Sequence, residues 1–135
     1  MLVQLSKDAI DLGIVTRNGP AMLAFYRDLL GFRHEMDTPF GNGGTMHRLW
    51  CGDSMIKIVV PEPAPDVNPE PGQIAAATGY RYWTMIVDNL EEVMDTCTSE
   101  GIEIAVPLRE IRPGVSIGIV HDPDGNLEEF VKYES

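Results

Sequence analysis

The chain has 135 residues, a hydrophobic fraction of 44% and a formal net charge of −11. A chain of that length buries about two thirds of its unfolded surface, which suits one domain with a real core and argues against disorder. Ten Lys and Arg against 21 Asp and Glu would be repelled by phosphate backbones and anionic lipid, so nucleic acid and membrane surfaces are excluded as partners.

The first residues, Met1 to Asp8, lack a basic leader followed by an apolar stretch, so no signal peptide is expected. Cys51 and Cys97 belong to no CxxC or Cys/His cluster. They read as reduced thiols of a cytoplasmic protein. Ile10 to Val15 reads as a mostly buried strand. Asn18 then offers an N-cap, Pro20 suits the first helical turn and Gly31 stops the helix. Leu23, Tyr26, Leu29 and Leu30 supply the apolar face of that helix. After Phe32, Asp37-Thr38-Pro39 and Gly41-Asn42-Gly43-Gly44 read as turns. The glycine run precedes a strand and lacks GK[ST], so it is not a phosphate loop. Met46–Trp50 and Met55–Val60 form a hairpin across Cys51-Gly52-Asp53-Ser54.

The second half repeats this order. Tyr82 to Val87 is a strand, Asn89 an N-cap with Glu92 as capping-box partner, and Gly101 a helix stop. Strands follow over Ile102–Val106, Val115–Val120 and Leu127–Lys132. The spacing from Asn18 to Asn89 equals that from Asp11 to Tyr82, and Lys57 to Glu129 is one residue longer. Such self-similarity means two copies of one unit that cannot bury its apolar face alone. The expected organisation is one domain over 1–135, with module one about 8–60, a Pro-rich linker over 61–79 and module two over 80–135.

Strand alternation sorts the faces. A two-residue turn at Gly52-Asp53 sets Arg48 opposite Lys57 and Trp50 opposite Met55. Pairing the two copies by pseudo-twofold symmetry then points Asp11, Arg48, Lys57, Tyr82 and Glu129 at one central space. The plainer alternative is a buried ion network, which is costly to bury and often no more stabilising than apolar packing.

The stretch Ala24-Phe25-Tyr26-Arg27-Asp28-Leu29-Leu30-Gly31-Phe32 and the turn Asp122-Pro123-Asp124-Gly125-Asn126 resemble the vicinal oxygen chelate superfamily. That is the glyoxalase, bleomycin-resistance and extradiol-dioxygenase group, and the likeness covers almost the whole chain. The resemblance implies an α+β fold of two βαβββ modules, forming a curved mixed sheet around a central cavity, and a homodimer. It also implies four metal-ligand positions, one on the first and one on the last strand of each module, which fall on Asp11, Lys57, Tyr82 and Glu129. Only Glu129 keeps a usual ligand type, while a protonated Lys57 has no lone pair and repels a divalent cation. Each unit-charge pair at about 4 Å is worth roughly 4 kcal/mol at an effective dielectric near 20. No metal and no cofactor are therefore expected. His34, His47 and His121 are scattered in the sequence and replace no missing ligand.

Without a Lewis acid the chemistry must be proton transfer and charge stabilisation. The resulting expectation is a metal-independent acid–base enzyme, of isomerase, epimerase or lyase type, for a small carbonyl- or carboxylate-bearing molecule. Asp11, Lys57, Tyr82 and Glu129 are its candidate catalytic residues, and Arg48, Trp50 and Met55 would bind the substrate. Two alternatives stay open: a non-catalytic sequestering protein of antibiotic-resistance type, with Trp50, Met55, Phe40, Tyr80 and Trp83 as walls, and a divalent-metal-dependent glyoxalase-like lyase.

Overall fold

A computed structural model describes residues 1–134; Ser135, the end of the expected second module, lies outside the described residues. The chain divides into two compact units, Met1–Asn68 and Pro69–Ser135. Each is built as strand, helix and three strands, so the fold is α+β with two βαβββ modules, and each module owns one four-stranded mixed sheet.

In the first unit β1 (Leu12–Val15) runs parallel to β4 (Ser54–Val60), and β3 (Gly44–Cys51) and β2 (Arg33–Phe40) continue the sheet antiparallel. The expected register of the hairpin is what forms, with Arg48 opposite Lys57 and Trp50 opposite Met55. The first strand is shorter than the sequence suggested: Asp11 stands just before it. The helix α1 (Gly19–Leu23) passes into a π-helical stretch over Ala24–Leu29, closed by Leu30 N–H donating to the Phe25 carbonyl at 2.9 Å. Asn18 occupies the N-cap, but its side chain makes no capping bond. The Thr16 hydroxyl oxygen instead accepts from the Asn18 N–H.

One expectation fails at β2. Asp37-Thr38-Pro39 was expected to be a turn, yet it lies inside an eight-residue strand. Pro39 is tolerated because β2 is the sheet edge, where a missing N–H breaks no ladder bond. Gly41, Asn42 and Gly43 do make a turn, joining β2 to β3, which Gly44 opens. Gly41 (φ 60°) and Gly43 (φ 92°) take backbone angles that other residues resist.

The helix-facing side of this sheet is the core. Met22, Phe25, Tyr26, Leu49, Ile56 and Ile58 are all 2% exposed or less. The Phe25 and Tyr26 rings meet edge to face at 4.8 Å.

In the second unit β5 (Tyr82–Ile86) runs parallel to β8 (Leu127–Tyr133), with β7 (Val115–His121) and β6 (Ile104–Arg112) beside it. The strand expected to end at Val106 continues through Pro107 to Arg112, again on a sheet edge and with irregular pairing. The helix α2 (Leu90–Ser99) ends as Gly101 (φ 76°) allows: Gly101 N–H donates to the Thr98 carbonyl and Ile102 N–H to that of Cys97. The expected capping box is altered. Asn89 donates its amide to the Glu92 carboxylate at 2.8 Å, and no side chain bonds the helix backbone there.

The Pro-rich segment is held rather than free. Arg17 donates to the Pro65 carbonyl and to Asn68, and Arg81 donates to the carbonyls of Glu70, Gln73 and Ile74. Among the described residues no helix is long and apolar enough to cross a membrane.

Neither cysteine forms a disulfide: Cys51 is half-buried on β3 and Cys97 fully buried on α2. Burial pushes the Cys97 thiol up from its ordinary value. A disulfide-exchange reagent is therefore expected to titrate one thiol in the native protein and two in denaturant. Two fast native thiols would contradict this packing.

Candidate functional site

Alternation places Gly13 and Val15 on the face of the first sheet away from α1, together with Met55, Lys57, Arg48 and Trp50, and Asp11 stands just before β1. Lys57 stands between Gly13 on β1 and Arg48 on β3. It makes no hydrogen bond or ion pair among the described residues. The missing side chain at Gly13 leaves open space: a Cβ there would meet nothing within 4 Å.

Asp11 is fixed by two donors. Its Oδ1 accepts from Lys7 Nζ at 2.7 Å and from the Met55 backbone N–H at 2.9 Å. The Lys7 bond, then the Met55 bond, hold this carboxyl below the usual carboxylate range; burial opposes them, and the charges of Lys7 and Lys57 add lesser lowering influences. Met55 itself is 2% exposed, so its contribution is this backbone donor rather than an open thioether.

Glu35 was not foreseen. One carboxylate oxygen accepts from Trp50 Nε1 at 3.2 Å, and the other lies 3.6 Å from Arg48 Nε. Lys7 Nζ also sits 4.9 Å from the centre of the Trp50 ring. Glu35 is the extra residue of a β-bulge, since pairing slips between His34 and Met36. Its place could be found only by recognising β2 as a strand.

In the second unit Tyr82 and Thr84 share the face of the sheet away from α2 with Glu129. Thr84 Oγ1 donates to Glu129 at 2.7 Å. Thr84 pairs with Glu129 as Gly13 pairs with Lys57, which is the repeat relation realised as register. Val115, Ile117, Ile119, Leu127 and Val131 form an apolar cluster in this unit, and Ile119 is the direct neighbour of Glu129. Glu128 points to the other face and is fully buried, with Trp83 as its partner on β5. Trp83, named above as a wall of a sequestering site, therefore faces the helix side.

In the first unit the donor set does not suit a metal at the ligand positions that the resemblance implies. Those positions hold an ammonium, Lys57, and a carboxylate whose Oδ1 is already shared by two donors. A separate cleft of about 250 Å³ in the second unit is lined by Pro69, Glu70, Thr78, Tyr80, Arg81 and Asn126. None of the candidate catalytic residues lines it, and its guanidinium is committed to backbone carbonyls. Tyr80, considered as a ligand wall, is fully exposed.

The turn Asp122–Asn126 is structural. Asp122 Oδ1 accepts from the N–H groups of Asp124 and Asn126, both at 2.9 Å, and Oδ2 from the Asn126 amide at 2.8 Å. His34, Asp37 and His47, dispersed in the sequence, meet on the helix-facing side of the first sheet.

The family model described as Glyoxalase/Bleomycin resistance protein/Dioxygenase superfamily matches residues 9–130. A glyoxalase family protein from Enterococcus faecalis is similar at 25% identity and TM-score 0.67, over 95% of this chain and 96% of its own. A glyoxalase family protein from Bacillus cereus aligns at TM-score 0.82 with 14% identity, over 98% and 97% of the two chains. A lactoylglutathione lyase from Agrobacterium tumefaciens aligns at TM-score 0.66 with 21% identity, over 91% of each chain. A search of the curated proteins finds no match.

Proposed function

The chain belongs to the Glyoxalase/Bleomycin resistance protein/Dioxygenase superfamily, and on that premise we propose that it is a metal-independent acid–base enzyme for a small carbonyl- or carboxylate-bearing anion. The observation that carries this reading is Lys57, which has no hydrogen bond or ion pair among the described residues, stands opposite Arg48 in the hairpin and adds its charge to the influences that keep Asp11 ionised. The Asp11 carboxylate takes a proton from the carbon next to the substrate carbonyl. The electron pair of that C–H bond moves onto the carbonyl oxygen, and Lys57 and Arg48 stabilise the enolate. Returning the proton to either face gives isomerisation or epimerisation, and expelling a neighbouring group gives elimination. Arg48 also suits a substrate carboxylate, which its planar fork can bind with two hydrogen bonds. Tyr82 and Glu129, with Thr84, are assigned to the same chemistry by their equivalent places in the second module.

The test is deuterium uptake next to the carbonyl in D2O, followed by NMR across a set of 2-oxo and 2-hydroxy carboxylates after exhaustive chelation. Exchange that survives chelation is expected. Exchange that vanishes and returns with a divalent metal would support the glyoxalase-like lyase instead, and a ligand bound without exchange would support sequestration. The depressed Asp11 carboxyl also sets a pH dependence. Lys7→Ala removes its largest lowering influence, so the acid limb of activity is expected to move to higher pH. An unmoved limb would show that Asp11 is not the base.

The proposal extends to a homodimer, because Val15, Met36 and Phe40 leave apolar surface exposed on the first unit. Light scattering that returns only the 14.9 kDa chain mass would remove it. Two cysteines outside any disulfide fit a reducing compartment, the cytoplasm.

A further inference from the structure

The first sheet carries a second cluster, on the side opposite Lys57. His34 pairs with the fully buried Leu49, and Asp37 pairs with His47, which places all three side chains on the helix-facing side. Residues three apart on a regular strand face opposite ways, so His34 and Asp37 should diverge. The bulge at Glu35 adds the residue that brings them to one side. Asp37 Oδ1 then lies 2.6 Å from His34 Nε2 and 2.8 Å from His47 Nδ1. One ligand atom from each residue falls within 4.8 Å of the others.

We propose that His34, Asp37 and His47 form a binding site for a divalent transition metal of the Zn2+ or Co2+ class. Two imidazoles and one carboxylate are a donor set that such ions favour over Mg2+ or Ca2+. Small side-chain rotations would seat an ion about 2.0–2.2 Å from each donor, with further positions open to water. The side chains of His34 and His47 are 26% and 16% exposed, so packing limits their rotation while an ion can still enter. A cation also faces the cluster: Arg27 Nη1 lies 3.4 Å from His34 Nδ1. To offer Nε2 to a metal, His34 must carry its proton on Nδ1, so Arg27 has to turn away. Asp28 already receives Arg27 Nε at 2.8 Å and Nη2 at 3.3 Å, which gives the guanidinium a place to go.

The site is independent of the proposed acid–base chemistry, and its test reads no activity. Chelator-treated protein is titrated with Co2+ by visible absorption, then with Zn2+ in competition. Imidazole nitrogen shifts are followed by NMR in the same wild-type sample. The expected result is one saturable equivalent, with shifts at His34 and His47 and none at His121. Asp37→Asn and His34→Gln should each weaken binding at least about tenfold, while Lys57→Met should leave it unchanged. Absence of saturable binding, unchanged affinity in Asp37→Asn, or shifts confined to His121 would overturn the proposal. The wild-type NMR result stands even if a variant fails to fold.

Discussion

Replacing Lys57 by methionine is expected to reduce deuterium exchange next to the substrate carbonyl by about 10²–10³-fold, the usual cost of removing one donor from a developing oxyanion. Methionine keeps most of the length and the apolar stem, so the strand and its neighbours should hold. Lys57 forms no hydrogen bond or ion pair among the described residues, and the thermal midpoint should therefore stay nearly unchanged. Loss of a group that acts on the transition state lowers kcat and kcat/KM together. A rise in KM alone would make Lys57 a binding residue. Unchanged exchange would remove the acid–base assignment.

Gly44→Ala is expected to have the largest effect on stability, a loss of about 3 kcal/mol, at the upper end for forced overpacking. A Cβ at Gly44 would collide with the Phe40 carbonyl oxygen and lie 3.0 Å from that of Val60 and 3.2 Å from Pro61 Cα. All three obstacles are backbone, so no side-chain rotation relieves them. Gly44 opens β3 opposite Phe40, and moving it separates the edge strand β2 from the sheet. Gly13→Ala is the control: a Cβ there meets nothing within 4 Å, and its midpoint should shift little. Urea unfolding of the two variants against wild type measures the difference. Equal midpoints would mean that the β2–β3 connection relaxes freely.

The strands missed or cut short in the sequence share a physical cause. Asp37-Thr38-Pro39 in β2 and Pro107 in β6 are turn-like residues inside edge strands. An edge strand needs only half of its backbone groups for the ladder, so it accepts Pro and bulges that would end a central strand. Both edges are irregularly paired, and the period of two that reveals a strand is lost there. The same bulge hid Glu35 from the expected site and placed His34 beside Asp37.

The sequence by itself determined the duplication and the place of its charged residues within each copy. Equal spacing from Asp11 to Tyr82 and from Asn18 to Asn89 implied two equivalent units, and a two-residue turn sufficed to set Arg48 against Lys57. These are local facts: strand alternation and turn length follow from backbone geometry over a few residues. Tertiary structure alone decided that Lys7 and the Met55 N–H hold Asp11, that Glu35 joins Arg48 and Trp50, and that two dispersed histidines meet at one carboxylate. Each of those contacts depends on chain direction before a strand, on an irregular edge, or on side chains from different strands. Periodicity carries no record of them.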